Sequence, residues 1–240
     1  METGRPLKLG RSPAAGGLEG GGMRARLAGG RFRWLNERLY TAASGDAFAL
    51  MQAQPELFEQ YHEGFRRQTA AWPVQPVEAA AEWLRSLPES LVVADFGCGD
   101  AALAAAVRQQ VHSFDLVAGA PGVVACNMAH VPLGAASVDV AVFCLALMGT
   151  DYAAFLREAH RVLRPGGRLW IAEVRSRFSA GSREDFEPFL KALRLLGFTL
   201  KRQDAASTMF VVFELRKHGS SAPLCEVQCP ALKACQYKRR

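Results

Sequence analysis

Two hydrophobic periods follow one another along the chain. Before residue 90 the spacing is helical: Pro55 stands where a helix can begin, and Phe58, His62, Phe65 and Thr69 then fall on one face. After residue 90, short apolar runs with the character of buried strands alternate with further helical segments. Helices are predicted over 44–51, 55–71, 76–87, 101–108, 151–163 and 186–196, the first capped by Ser44.

Seven apolar runs predict strands. They cover 92–96, 111–115, 123–126, 138–145, 168–174, 198–203 and 208–215. Pro165-Gly166-Gly167 is expected to end the helix before the fifth strand. Strands that alternate with helices predict an α/β fold with a mostly parallel, doubly wound sheet. The last two strands are close enough for a hairpin, which predicts one antiparallel strand.

Composition divides the chain into four expected parts. Residues 1–30 are rich in Gly, Ala and Arg and predict a flexible leader, 31–88 an N-terminal helical cap, 89–218 a cofactor-binding domain, and 219–240 a basic tail. Half of the 240 residues are hydrophobic and 22% are charged, as in a globular domain, and the net charge of +6 permits a polyanionic partner. No window has the ~18 consecutive apolar residues of a membrane span, so no membrane partner is expected.

The cysteines do not predict a metal site. Cys98, Cys126 and Cys144 lie in or beside predicted strands, where reduced thiols are common. Cys225 and Cys229 in the tail form no Cys-x-x-Cys pair and have no histidine nearby. We therefore expect no metal.

Candidate chemistry begins where the first predicted strand ends. Asp95 is followed by Gly97 and Gly99, whose missing side chains would let a nucleotide-like cofactor approach the backbone. Asp115 ends the second strand, 18 residues beyond Gly97, a spacing that fits hydrogen bonding to ribose. Each has an ordinary alternative: the glycines could simply form a turn, and Asp115 could cap a helix. The same spacing would also suit NAD.

Further candidates follow the third and fourth strands. Asn127 and Met128 stand where an adenine ring would need an edge acceptor and a face contact. Cys144 ends the fourth strand, and no Pro-Cys or Thr-Cys pair supports a nucleophilic role for it. The segment 145–150, which follows this strand, reads Leu-Ala-Leu-Met-Gly-Thr and contains no Asn/Asp-Pro-Pro-aromatic turn.

Several motifs resemble known proteins. The turn Arg161-Val-Leu-Arg-Pro-Gly-Gly167, with the features above, resembles class I seven-stranded (Rossmann-like) methyltransferases that use S-adenosyl-L-methionine. The segments 31–40, 61–65, 72–73, 92–100, 137–145 and 237–240 resemble the nucleomethylin family, also named ribosomal RNA-processing protein 8.

That resemblance implies a function and a site. It implies an enzyme of the nucleus and nucleolus that makes 1-methyladenosine in large-subunit ribosomal RNA, and a link to silencing of ribosomal RNA genes with histone or chromatin factors as partners. The cofactor-binding residues that it implies are His62, Gly97, Asp115, Asn127, Met128 and Cys144. The family usually has aspartate in place of Asn127, and asparagine keeps an acceptor oxygen but loses the charge. The family also usually has a longer basic N-terminal extension.

Other interpretations remain at this point. The domain could be a non-catalytic, cofactor-binding adaptor in chromatin silencing, or a methyltransferase of small molecules. No catalytic residue is assigned, because adenine N1 has a free lone pair and needs no general base. Arg66, Arg67, Arg175 and Arg177 could hold RNA phosphates or form an ordinary solvated surface.

Overall fold

A computed structural model describes residues 19–180, 183–219 and 223–235. The helices are α1 (Glu19–Thr41), α2 (Ser44–Ala53), α3 (Glu56–Thr69), α4 (Pro76–Arg85), α5 (Ala102–Ala106), α6 (Tyr152–Val162) and α7 (Glu187–Leu195). The strands are β1 (Val92–Phe96), β2 (Gln110–Asp115), β3 (Val123–Ala125), β4 (Val138–Cys144), β5 (Leu163–Val174), β6 (Ser179–Ala180), β7 (Arg183–Glu184), β8 (Phe198–Asp204) and β9 (Phe210–Lys217). Short 3-10 turns cover Arg175–Phe178 and Leu224–Glu226.

The main sheet has seven strands in the order β3-β2-β1-β4-β5-β9-β8. Strands β1 to β5 run parallel, and β9 is antiparallel to both of its neighbours. The predicted doubly wound sheet with one antiparallel strand is therefore confirmed. The strand order reverses between β1 and β4, and in open α/β sheets a crevice for ligands forms at such a point, outside the carboxyl ends of the strands.

Helices cover both faces of this sheet. Leu84 of α4 and Leu103 of α5 pack on one face with Val140 of β4, while Leu156 of α6 and Leu193 of α7 pack on the other. The segment predicted as one helical cap over 31–88 therefore has two parts, because α4 packs on a face of the sheet and α1 to α3 do not. Helices α1 to α3 instead surround the carboxyl end of the sheet. Within the described residues, no helix combines the length and apolarity needed to cross a membrane.

Two predicted boundaries were wrong at glycine-rich or alanine-rich turns. β5 begins at Leu163, because Leu163 pairs with Val138 before a register shift accommodates the Pro-Gly-Gly segment as an irregularity within the strand. Gly167 has no room for a side chain there, since a Cβ would lie 2.9 Å from the Arg164 carbonyl oxygen. The helix predicted over 101–108 is only five residues long, with Ala101 left-handed at its start.

The structure differs from the predicted flexible leader at residues 19–30, and it also shows how the tail packs. α1 begins at Glu19, so residues 19–30 extend a helix whose later turns are anchored by buried Phe32 and Leu35. In the tail, the Asn36 side-chain amide donates to the Cys235 carbonyl (2.8 Å) and the Tyr152 hydroxyl donates to the Pro230 carbonyl (2.6 Å). Residues 223–235 are therefore packed onto the fold, whereas 1–18 and the 237–240 motif lie outside the described residues.

α1 and α3 approach each other closely at one glycine. A Cβ on Gly64 would lie 2.4 Å from the ring of Phe32, which is itself buried. Only a residue without a side chain allows this contact, which holds α3 against α1. The positions of both helices matter because they line the cavity described next.

Candidate functional site

A cavity of about 340 Å³ opens at the carboxyl ends of β1, β2 and β4, between the sheet and helices α1 to α3. Its volume lies within the roughly 300 to 1,000 Å³ that is typical of small-molecule and cofactor sites. All six residues proposed from the sequence line it: His62, Gly97, Asp115, Asn127, Met128 and Cys144. Residues that are 82 positions apart in the chain thus meet in one space.

The turn after β1 leaves bare backbone at the cavity. Gly97 has φ +74°, and a Cβ on it would lie 2.6 Å from the side chain of Ala146. Gly99 has φ +56° and faces His62, whose Cε1 would be 3.2 Å from an added Cβ. Both positions therefore favour glycine for their left-handed backbone, and Gly97 requires it for space as well.

Asp115 holds this turn from the neighbouring strand. Its carboxylate accepts a hydrogen bond from the Gly99 N–H (2.7 Å) and another from the Leu116 N–H (2.7 Å). Burial raises the pKa of Asp115, while His62 and the Gly99 N–H act in the opposite direction. The next described element after Asp115 is strand β3, with no helix between them, so the interpretation as a helix cap was wrong.

Asp95 is the second buried carboxyl at the cavity. It is 2% exposed, and burial, reinforced by the charge of Asp115, raises its pKa to about 7. A cation placed in the cavity would favour the ionised form and lower this pKa again. Two acidic side chains on adjacent parallel strands therefore make the site suitable for a ligand with a positive charge and hydroxyl groups.

His62 and Cys144 are neutral parts of the wall. The His62 ring lies 4.3 Å from the Phe58 ring, centroid to centroid, and burial lowers its pKa despite nearby Asp115. Burial raises the pKa of the Cys144 thiol well above its ordinary value. A thiolate nucleophile is therefore disfavoured at Cys144, in agreement with its sequence context.

Asn127 takes part in a chain of polar side chains. Its amide oxygen accepts from the Ala129 N–H (2.9 Å), and its amide nitrogen donates to Ser44 Oγ (3.0 Å). The Ser44 hydroxyl in turn donates to Asp151 (2.5 Å). Ser44 was expected to cap α2, but the residue before that helix's first turn is Ala43, and the Ser44 side chain links two loops instead. An amide fits position 127 because it can donate to a hydroxyl whose proton is already committed to Asp151.

A fully buried ion pair supports the loop after β4 and was missed in the sequence. Glu173 and Arg177 are 0% and 1% exposed, with 2.7 Å between carboxylate and guanidinium. The Leu147 N–H donates to Glu173 (2.9 Å), and Arg177 donates to the Leu147 carbonyl (2.7 Å). The ion pair thereby fixes both the N–H and the carbonyl group of Leu147. The glutamate inside the apolar run of β5 was the available signal, since buried carboxylates are normally paired.

That loop, residues 145–149, forms part of the cavity wall. Leu145 has φ +58°, a strained conformation for leucine that its N–H hydrogen bond to the Ala172 carbonyl (2.9 Å) helps to hold. The Tyr61 hydroxyl donates to Met148 Sδ (3.3 Å), so α3 contacts the same loop. Tyr61 and Phe65 add a pair of roughly parallel rings beside it, with centroids 6.3 Å apart.

The four arginines considered for phosphates are engaged elsewhere. Arg66 pairs with Asp100 and with a glutamate of its own helix, and Arg67 pairs with Glu63. Arg175 pairs with Glu184 and donates to two carbonyl groups. Arg177 is buried in the pair described above, so neither a phosphate contact nor a solvated surface describes it. Buried Arg177 cannot reach a phosphate, whereas Arg66 and Arg67 are partly exposed and already have carboxylate partners.

The described residues contain no group of three or more His, Cys, Asp or Glu side chains that could hold a metal ion. In the tail, burial raises the pKa of the Cys229 thiol to about 11, although the charge of Arg157 acts in the opposite direction.

Comparison with known proteins gives matches over almost the whole chain. A family model described as "Hypothetical methyltransferase" matches residues 20–240. Ribosomal RNA-processing protein 8 of Arabidopsis thaliana is 48% identical over 222 residues, covering 91% of this chain and 77% of that protein. The 25S rRNA (adenine(645)-N(1))-methyltransferase of Schizosaccharomyces pombe is 46% identical over 233 residues, covering 91% and 71%.

Other relatives are longer, and the chain spans about half (47%) of the rat and mouse proteins that it matches. Among solved structures, a Burkholderia thailandensis 1,6-didemethyltoxoflavin-N1-methyltransferase with bound S-adenosylhomocysteine superposes with a TM-score of 0.55 at 22% identity. The match covers 74% of this chain and 92% of that one. At that identity the likeness shows the fold, which is the seven-stranded methyltransferase fold.

Proposed function

The chain belongs to the ribosomal RNA-processing protein 8 family of methyltransferases, and from that membership we propose that it methylates N1 of an adenine in large-subunit ribosomal RNA, using S-adenosylmethionine. One observation carries the proposal. The cavity at the sheet's switch point combines bare glycine backbone with two buried carboxyls, in a chain that is 46% identical to a yeast protein named as a ribosomal RNA adenine-N1 methyltransferase.

The residues present fit S-adenosylmethionine. Gly97 and Gly99 bring bare backbone to the cavity, and a Cβ at either position would press on Ala146 or His62 in its wall. Asp95 and Asp115 are buried carboxyls at the same edge, and both would be stabilised in their charged form by a cation or by hydroxyl donors.

Each residue has a proposed role in holding the cofactor. Asp115 would accept from the ribose hydroxyls and Asp95 would face the positively charged methionine end. Asn127 would offer its amide oxygen to the adenine amino group, with Met128 and His62 against the rings. When bound, S-adenosylmethionine supplies a methyl group that is already activated on a sulfonium, so the protein mainly has to position the acceptor and exclude water.

The acceptor side is proposed to be the loop 145–149 with the aromatic side chains of α3. Adenine N1 has a lone pair at neutral pH, so no residue has to remove a proton before the transfer. N1 is occupied in a base pair, so the adenine must be unpaired or flipped to reach the cavity. Tyr61 and Phe65 provide rings against which such a base can rest.

Calorimetry of S-adenosylmethionine binding tests the proposal, with NAD as the control ligand. We expect Asp115→Asn to weaken binding at least tenfold, because a carboxylate acceptor becomes an amide. Asp46→Asn, an exposed aspartate of α2 outside the cavity, is the matched control and should bind as the unmodified chain does. Binding of NAD in preference to S-adenosylmethionine, or equal affinity in both variants, would contradict the assignment.

The cellular setting is a finer proposal that rests on the substrate. A chain that acts on ribosomal RNA during its processing would be expected in the nucleus and nucleolus. The family resemblance also implies a role in silencing ribosomal RNA genes with chromatin factors, in which the domain could bind cofactor without catalysis. Equal silencing by Asp115→Asn and by the unmodified chain would favour that adaptor function.

A further inference from the structure

One face of α1 presents an aromatic side chain between two cations. Trp34 is 54% exposed, and Arg31 and Arg38 are exposed as well. The three residues are spaced i, i+3 and i+7, so they form one stripe along the helix. The opposite side of α1 is fixed by buried Phe32 and Leu35, which hold this stripe toward solvent. We call Arg31, Trp34 and Arg38 the α1 face.

The cations of the α1 face are available to a ligand. Among the described residues, no ion pair joins a carboxylate to Arg31 or Arg38, and about half of Trp34 is open to solvent. Glu37 lies at the flank of the stripe and pairs with neither arginine. This sets the two arginines apart from Arg66, whose charge is engaged by two carboxylates.

We propose that the α1 face docks a single-stranded segment of RNA, with one base stacked on Trp34 and the adjoining phosphates held by Arg31 and Arg38. Aromatic side chains between basic residues bind single strands in this way, because every base has a π-face and every linkage has a charge. Exposed surfaces with an unpaired cation on each side of an indole are complementary to a polyanion with flat bases. The inference rests on the proposed function and adds to it a substrate-docking surface.

The position of the α1 face relative to the cavity supports a single strand. Leu39 and Ala42, at the end of α1, line the cavity. Trp34 precedes Leu39 by five residues, which places it about 8 Å further along the helix axis. Leu39 is buried and Trp34 is exposed, so they lie on different sides of α1, and a strand on this face must turn around the end of the helix to bring an adenine to the cavity. A single strand can make that turn, and its adenine is already unpaired.

The first test measures binding of a fluorescein-labelled oligouridine of about 16 nucleotides with one central adenosine. Trp34→Ala is expected to weaken binding by about 5-fold to 150-fold, the range for loss of one base–aromatic stack. Trp34→Phe should retain most of the affinity, since a ring remains. Val124→Ala, an exposed apolar side chain on the edge strand β3, is the matched control and should bind normally. With a fully paired duplex of the same sequence, Trp34→Ala should have little effect.

The second test separates phosphate contacts from stacking. Arg31→Gln combined with Arg38→Gln should lower the slope of log affinity against log salt by about 1.4, as expected for two contacts to a single strand. The matched control, Lys191→Gln combined with Lys201→Gln, removes the same charge from exposed sites on other elements and should leave most of the slope unchanged.

Unchanged RNA affinity in the Trp34→Ala variant would overturn the inference. So would a change in self-association on sedimentation without a change in RNA affinity, because the face would then be a contact between proteins.

The outcomes also distinguish the inference from the proposed function. In a methyl-transfer assay, Trp34→Ala should raise the KM for RNA, with kcat and the affinity for S-adenosylmethionine unchanged, as for loss of uniform binding. If the unmodified chain transfers no methyl group to RNA but still binds the oligonucleotide through Trp34, the docking surface stands and the proposed activity fails. If it transfers methyl groups and Trp34→Ala has the same KM, the activity stands and the docking surface is wrong.

Discussion

Replacing Glu173 by glutamine is predicted to destabilise the fold strongly. Glu173 and Arg177 are buried and 2.7 Å apart, and the Glu173 carboxylate also accepts the Leu147 N–H. A glutamine that keeps this N–H contact turns its amide nitrogen toward the guanidinium, so a donor faces a cation that water cannot reach. Removing one partner of a buried pair typically costs about 3 to 5 kcal/mol. For a chain of this size, that loss lowers Tm by roughly 6 to 20 °C.

Thermal and urea unfolding, followed by circular dichroism, measure this loss. The matched control is Glu184→Gln, which breaks the more exposed pair with Arg175 and should cost about 1 kcal/mol or less. A combined Glu173→Leu and Arg177→Met variant removes both charges and should recover part of the stability. Recovery is incomplete because the Leu147 and Lys233 carbonyls lose their donor.

The two single variants should therefore differ by several kcal/mol. Equal unfolding midpoints for Glu173→Gln and Glu184→Gln would refute the reasoning, since burial would then add nothing to the value of the pair.

Three further outcomes are expected from measurements of the stability of variants. Burial and a neighbouring carboxylate raise the pKa of Asp95 to about 7, so as pH rises the unfolded chain loses this proton near pH 4 and the folded chain only near pH 7. The free energy of unfolding should therefore fall by up to about 4 kcal/mol between pH 4 and pH 7, and urea titrations of Asp95→Asn should lack this pH dependence. Gly64→Ala should cost about 1 to 3 kcal/mol by overpacking against the buried ring of α1, whereas Gly45→Ala, with open space around it, should cost nothing measurable in the same melts. Asn127→Asp should lower Tm, because the introduced carboxylate would compete with Asp151 for the Ser44 hydroxyl. Adding Ser44→Ala should not restore Tm fully, because the two carboxylates also repel each other. An unchanged Tm in Asn127→Asp would contradict the hydrogen-bond chain.

The strands of the sheet could be predicted closely because both faces of the central ones are buried. β1 was predicted residue for residue, and β2 to β4 within one or two, since an apolar run on a doubly covered strand has clear ends. The start of β5 was missed because Leu163 pairs with Val138 across the sheet before the Pro-Gly-Gly segment. Local turn signals do not report such a long-range pair, and proline with two glycines ordinarily marks a break.

The site could be predicted only as a set of positions. The carboxyl ends of parallel strands meet at one edge, so Gly97, Asp115 and Asn127 were expected to lie together, and they line one cavity. Their partners come from distant segments: Ser44 reaches Asn127 across 83 residues, and periodicity carries no signal for that contact. The partners of the arginines could not be predicted either, because the sequence shows the charges but not which carboxylates lie beside them.

The proposed methylation of adenine N1 in ribosomal RNA is most directly tested by analysing the product. The chain would be incubated with S-adenosylmethionine and an unmodified large-subunit ribosomal RNA transcript, and the RNA digested to nucleosides for mass spectrometry. We expect 1-methyladenosine at one position, lost in Asp115→Asn and retained in Asp46→Asn. Methylation of the exocyclic amine instead, or no methyl group on RNA while S-adenosylmethionine still binds, would contradict it.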